Sequence, residues 1–285
     1  MRLLQRYNVP WLILGIFCAV GSRTALAADE TAPAADEVRR AETLQEMKLQ
    51  AAAYNLTLVD DAQSKLTLHD EPLLRFSNPV GGVPDGIAVM WKDGQRPAVF
   101  AQVFQTKEGL WVHECQSLAG AGLKMEAGEK VLWQPKEAAD PFRKLDGAEP
   151  AKIASRRLAQ MRAIAEEHSA ADDFKISSKD RETTRHPLRM LPRPVYRYQD
   201  AEANILDAAV FAFVHGTDPE LFLTLEYRTK PANAAGWHVS FAPMTCWAVT
   251  ASRNNQDTWS VPERLGKSSR DGLYHVWVHR PPPTK

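Results

Sequence analysis

The chain has 285 residues, in which 35 Lys and Arg balance 35 Asp and Glu, with three cysteines and eight tryptophans. That balance leaves no basic excess to hold a polyanion, which argues against a nucleic-acid partner. The cysteines, Cys18, Cys115 and Cys246, form no CxxC pair, which argues against thiol–disulfide exchange.

Arg2 and Arg6 precede the apolar run Trp11 to Val20, and Ala25-Leu26-Ala27 follows it. This order of positive region, apolar core and small-x-small site reads as a secretory signal peptide over 1–27, cut after Ala27. The run spans about ten residues, where a transmembrane helix needs about 20, so an uncleaved anchor is the weaker alternative. Cleavage removes Arg2, Arg6 and Arg23 and leaves 32 basic against 35 acidic residues, a net charge near −3. No later stretch is apolar enough to span a bilayer. The expectation is an exported protein, periplasmic or extracellular, with no integral membrane segment after signal cleavage.

Segment 28–56 reads as a tail and an amphipathic helix. Residues 28–36 are rich in Ala, Pro, Asp and Glu. From Asp36 to about Tyr54 the apolar positions Val38, Ala41, Leu44, Met47, Ala51 and Tyr54 recur at helical steps. The stripe is thin, as suits a helix lying on the surface of the body or of another chain.

The remainder, 57–285, reads as a single β-rich body. Gly86 to Lys92 is apolar almost throughout, as in a strand covered on both faces. Asp93-Gly94 turns the chain. Ala98 to Phe104 then alternates, with Val99, Ala101 and Val103 on one face. Strands follow at Leu110 to Ser117, Trp237 to Phe241 and Tyr274 to His279. A linking helix is expected over about 150–168, with Pro150 in its first turn and Ile153, Leu158, Met161, Ile164 and Ala165 as its stripe. Residues 169–186 are polar and read as a loop.

Residues 188–226 repeat 66–104 at an offset of 122. Leu66/Leu188, Pro72/Pro194, Arg75/Arg197, Asp85/Asp207, Gly94/Gly216, Pro97/Pro219 and Phe100/Phe222 coincide without a gap. After four more residues Trp111 meets Trp237 and Trp133 meets Trp259, so the copies extend over about 66–134 and 188–260. Leu221, Leu223 and Leu225 fall on the face of Val99, Ala101 and Val103, and such agreement of phase is hard to reach by chance because a one-residue slip swaps the faces. The expected fold is α+β: mainly antiparallel β built from two pseudo-repeated meanders, with one linking helix and one N-terminal helix. Pairing of the copies is expected to cover the leucine faces.

From about Leu66 onward the chain resembles a group of uncharacterised secreted proteins numerous in planctomycete bacteria. The likeness is carried by Arg75-Phe76, Asp85-Gly86, His113-Glu114, Ser117-Leu118, Gln160-Met161-Arg162, Leu188-Arg189-Met190-Leu191, Tyr196-Arg197-Tyr198 and the run Phe213 to Glu220. The chain departs from the pattern at Ala208, where glycine is expected. The resemblance implies export and brings no assigned activity.

The candidate chemistry is sparse. Arg75/Asp85 and Arg197/Asp207 read as structural pairs bracing each copy, and less readily as two anion sites. His113 and Glu114 are candidate ligand-binding residues, but strand neighbours point to opposite faces and cannot easily share a site. Ser117 lacks any Gly-x-Ser-x-Gly setting. No His-Glu-x-x-His or helical His-x3-His is present, and His275 and His279 would stand about 13 Å apart along a strand, so no metal site and no cofactor are expected. Repeated tryptophans read as core, which leaves Trp247 and Trp277 as surface candidates for stacking on a sugar. Cys115 and Cys246 stand equally as a possible disulfide or as two buried thiols. The leading expectation is a non-catalytic binding or scaffold module for an unknown protein or carbohydrate at the cell envelope; the alternative is a hydrolase using His113 or Glu114.

Overall fold

The computed structural model describes residues 31–280 apart from 60–63, 138, 140–141, 175–183 and 268. The expected signal peptide over 1–27 lies outside the described residues. The chain divides into two compact units, Met1–Arg39 and Arg40–Lys285. The second unit has a mainly β α+β fold.

The elements come in one order, run through twice. The first half holds α1 (Thr31–Ala52), β1 (Asn55–Leu58), β2 (Thr67–Leu68), β3 (Leu74–Asn78), β4 (Val83–Asp93), β5 (Arg96–Gln105), β6 (Trp111–Ser117), β7 (Leu123–Ala127), β8 (Lys130–Trp133) and β9 (Arg143–Leu145). The second holds α2 (Ala154–Glu166), β10 (His168–Phe174), β11 (Thr184–Met190), β12 (Tyr196–Asp200), β13 (Ile205–His215), β14 (Asp218–Arg228), β15 (Gly236–Pro243), β16 (Val249–Arg253), β17 (Gln256–Val261) and β18 (Tyr274–His279). Helix α1 begins earlier than Asp36 and so takes in part of the expected tail. Helix α2 begins after Pro150, which lies outside it.

Strand pairing follows the same scheme in each half. In the first, β4 lies between β2 and β5, and β5 lies between β4 and β6; β1, β7 and β8 form a separate three-stranded sheet. In the second, β13 lies between β11 and β14, and β14 between β13 and β15. There β10 joins β11, so that β17, β16 and β10 merge with the rest into one nine-stranded sheet. The described residues of the stretch expected as a loop, 169–174 and 184–186, are thus all strand. The alternation in β10 of buried His168, Ala170, Asp172 and Phe174 with more exposed residues is a two-residue period, in which Phe174 is the one large apolar side chain, too few for an apolar pattern to announce it.

The two central sheets meet face to face through Ala88, Met90 and Phe100 on one side and Ala208, Val210, Ala212 and Phe222 on the other. Phe100 and Phe222, equivalent positions in the two halves, touch with ring centroids 4.4 Å apart. Each is fully buried. Burial is worth about 1.5–3 kcal/mol per ring, and the ring–ring contact adds about 0.5–1.5, so area removed from water dominates this contact.

The outer faces are closed separately. Val99, Ala101 and Val103 pack with Met47 and Ala51 of α1. Leu221, Leu223 and Leu225 pack with Met161 and Ala165 of α2. The leucine faces are therefore covered by helices, and the halves join through the opposite faces. Met47 and Ala51, from the thin stripe read on α1, and Met161 and Ala165, from the stripe read on α2, are the helix residues buried in these contacts. Ile153, counted in the second stripe, precedes α2 and is 55% exposed.

The outermost strands cross over. Strand β9, from the first half, pairs with β15 of the second through Trp237↔Leu145 and Val239↔Arg143. Strand β18, from the second half, pairs with β6 of the first through Trp111↔His279 and His113↔Trp277. Among the described residues, no helix is long and apolar enough to cross a membrane.

Candidate functional site

The repeated charges form two braces of one design. Arg75 Nε donates to Asp85 at 2.8 Å, and its Nη2 reaches the carbonyl of Arg40 on α1 at 2.7 Å. Arg197 Nε donates to Asp207 at 2.9 Å, and its Nη2 reaches the carbonyl of Ala154 on α2 at 2.7 Å. Each arginine thus ties a helix to the first long strand of its half. The second brace is reinforced by Arg157 on α2, which donates to Asp207 at 2.7 Å.

His113 and Glu114 project to opposite sides of β6. His113 is fully buried in the outer layer: its Nδ1 meets Tyr54 Oη at 2.9 Å, its Nε2 meets His279 Nε2 at 3.1 Å, and its ring stacks on Trp277 with centroids 5.2 Å apart. Burial, with the adjacent His279, holds its pKa down at about 3. Both ring nitrogens of His113 are thus occupied by protein partners, Nδ1 by Tyr54 and Nε2 by His279. Trp277 is part of this packed stack. Glu114 faces inward, deep among protein atoms although part of its surface remains accessible. Burial and the charge of Asp218 push its pKa up to about 8.

On that inner side a second constellation appears, at the end of β13 and the start of β14. The pairing Phe213↔Leu221 is followed by Val214↔Pro219, which leaves Glu220 as the extra residue of a β-bulge. Bulges re-aim side chains. Here Glu220 meets His215 from β13 and Asp172 from β10, their ligand atoms all within 4.8 Å of one another. Asp172 is 0% exposed and Glu220 is buried, whereas the His215 side chain is 23% exposed and marks the open side. His215 Nδ1 stands 3.9 Å from Asp172 Oδ2. His186, the cross-strand partner of Asp172, brings its ring centroid within 5.3 Å of that of His215.

The electrostatics of this corner are unbalanced. Neither oxygen of Asp172 has a hydrogen-bond partner among the described residues, and the same holds for His215 Nδ1 and His186 Nε2. Asp218 lies next to the cluster, held by Asn78 at 3.2 Å and Gln102 at 3.3 Å. Burial raises the pKa of Asp172, against the pull of His215 and His186. Burial also raises Glu220, with Asp218, Asp172 and Glu114 adding like charge in that order.

Of the residues singled out in the sequence, Glu114 and Trp247 come near this corner. Glu114 acts on Glu220 through its charge. Trp247 packs edge-on against Phe174 at 5.5 Å, and Phe174 packs against His215 at the same distance. Cys115 is buried, Cys246 half-buried, and both are free thiols. Trp111, Trp133, Trp237 and Trp259 are all buried. No spacing in the sequence groups Asp172, His186, His215 and Glu220, because they come from four separate strands or strand ends. A signal does exist: Glu220 occupies the position where the first half has the apolar Ala98.

No family model, curated protein or solved structure matched the chain.

Proposed function

We propose that this chain is an exported, non-catalytic binding or scaffold module, built by internal duplication, that serves a protein or carbohydrate partner at the cell envelope. The divergence of His113 and Glu114 carries the reading. A hydrolase using either residue needs a second titratable group converging on a shared, accessible point. His113 is spent on Tyr54, Trp277 and His279, and Glu114 faces the other way toward Asp218 and Arg264. The duplication is supported by the shared element order, by the two Arg–Asp braces and by the contact of Phe100 with Phe222. Export is supported by the order of charges and small residues before Ala28.

Expression of the full chain in a secreting bacterium, with mass spectrometry of the exported fraction, tests the location. A species beginning at Ala28 is expected; retention of the unprocessed chain in the cytoplasm would sink the export reading. A panel of ester, glycoside and peptide substrates tests the rest. No turnover is expected, and turnover abolished by His113→Gln or Glu114→Gln would establish the hydrolase instead.

A further inference from the structure

The two halves share a bulge but fill it differently. In the first, Trp91↔Val99 is followed by Lys92↔Pro97, leaving Ala98 as the extra residue. In the second the extra residue is Glu220. His215 likewise stands where the first half has Asp93. The β10–β11 ladder, which supplies Asp172 and His186, joins two parts of the sheet that stay separate in the first half. One half thus has a plain structural bulge, and the other carries carboxylates and imidazoles on the same backbone device.

This corner is costly as it stands. A carboxylate removed from water without a partner is strongly disfavoured, and Asp172 is fully buried with neither oxygen hydrogen-bonded among the described residues. Protonation alone would relieve its charge but would still leave acceptors unmet, and His215 Nδ1 and His186 Nε2 also lack partners among the described residues. A cation among Asp172, His215 and Glu220 gives the carboxylate oxygens and the His215 ring a shared partner.

We propose that Asp172, His215 and Glu220 form a binding site for a divalent first-row metal ion, zinc in preference to calcium. The donor set decides the preference. Calcium takes six to eight oxygen ligands, whereas zinc takes four from imidazole and carboxylate, at about 2.0–2.2 Å. Tetrahedral ligation at that length sets neighbouring ligand atoms about 3.4 Å apart. The 3.9 Å between His215 Nδ1 and Asp172 Oδ2 therefore needs only a small closure. His215, the partly exposed member, gives the ion its way in.

The inference deepens the binding reading by naming one ligand class, and it rests on that reading for the absence of turnover. The test is isothermal titration of the full chain, stripped with a chelator, with zinc chloride and with calcium chloride at neutral pH. One zinc per chain is expected, with calcium far weaker. Asp172→Ala and His215→Ala are each expected to weaken zinc binding by roughly 100-fold or more. Asp93→Ala, at the equivalent of His215 in the first half, is expected to leave it unchanged. Should an alanine variant fail to fold, cobalt substitution of the unmutated chain reads the site directly: an imidazole–carboxylate tetrahedral spectrum is expected, and thiolate charge transfer would assign the ion to Cys115 or Cys246 and overturn the site. Absence of saturable zinc binding, or binding indifferent to Asp172 and His215, would overturn the site and leave the binding-module reading standing. Zinc-dependent hydrolysis lost in Glu220→Gln would keep the site and overturn the non-catalytic reading.

Discussion

The interface between the two halves has two ends, and they are opposites. At one, Arg96 of the first half donates to Glu226 of the second at 2.7 Å, while Arg228 and Tyr198 bind the same carboxylate at 2.7 Å. Glu226 is fully buried, and these neighbours oppose or satisfy its charge. At the other end, Asp218 stands at the position equivalent to Arg96, and around it lie Asp172, Glu220 and Glu114. One strand order, present in both halves, therefore supports a neutralised end and an acid-rich end. The strand order itself tolerates either; the side chains placed on it decide whether a position holds the fold together or is kept for a ligand.

The contrast can be broken most forcefully at the braces. Asp207 is fully buried between two arginines, while Asp85 is half-buried beside one. Asp207→Ala strands Arg157 and Arg197 and should cost about 3–5 kcal/mol in denaturant unfolding. Asp85→Ala should cost clearly less, since it strands only one arginine, 29% exposed, whereas Arg157 beside Asp207 is 9% exposed. Equal losses would show that the halves are braced alike despite Arg157.

Glu114 sharpens the comparison through pH. Its folded pKa, about 8, lies above the ordinary value of 4.5, so the folded state keeps a proton that the unfolded chain has released. The linked stability is complete below about pH 4.5 and is lost as pH rises toward 8. Glu114→Gln should flatten that slope and stabilise the chain near pH 8 by on the order of a few kcal/mol, measured in chelator. Its counterpart in the second half, Ser240, carries no charge, and Ser240→Ala should leave the slope as it was.

Gly86 and Ala208 give the smallest effect. A Cβ on Gly86 would lie 2.5 Å from the Phe76 ring and 2.8 Å from Phe104 Cβ. Gly86→Ala should therefore cost about 1–3 kcal/mol by overpacking. Ala208→Gly should cost only about 0.5–1 kcal/mol, through backbone freedom. The departure at Ala208 is thus accommodated locally: Glu226, with its polar partners, stands where the first half has Phe104.

What can be read from the sequence depends on the kind of signal each element carries. Strands β4, β5, β13 and β14 are long and apolar on fixed phases, so their existence, their faces and the match between halves are open to inspection. Strand β18 is legible for the same reason. Strand β10, reading HSAADDF, buries His168, Ala170, Asp172 and Phe174 in alternation, and with one large apolar residue among them no hydrophobic period marks it. The candidate metal site rests on that strand, so a loop over 169–186 leaves Asp172 out of view. Glu220 and His215 sit in or beside a run with the composition of a turn. The shared bulge that joins them is a matter of strand register, and register appears only once the strands are paired. The opposite facing of His113 and Glu114, by contrast, needs only the pleat.

The exchanged edge strands bear on how such a chain could be taken apart. If the two halves were produced as separate polypeptides, each would carry a terminal strand with no sheet of its own to join and a sheet edge lacking its last member. Each fragment would be a lock holding the other's key. Mixing them should restore the intact body from its pieces, and at high concentration an undivided chain could lend β18 to a neighbour, linking molecules head to tail through the same handclasp that now closes one molecule on itself.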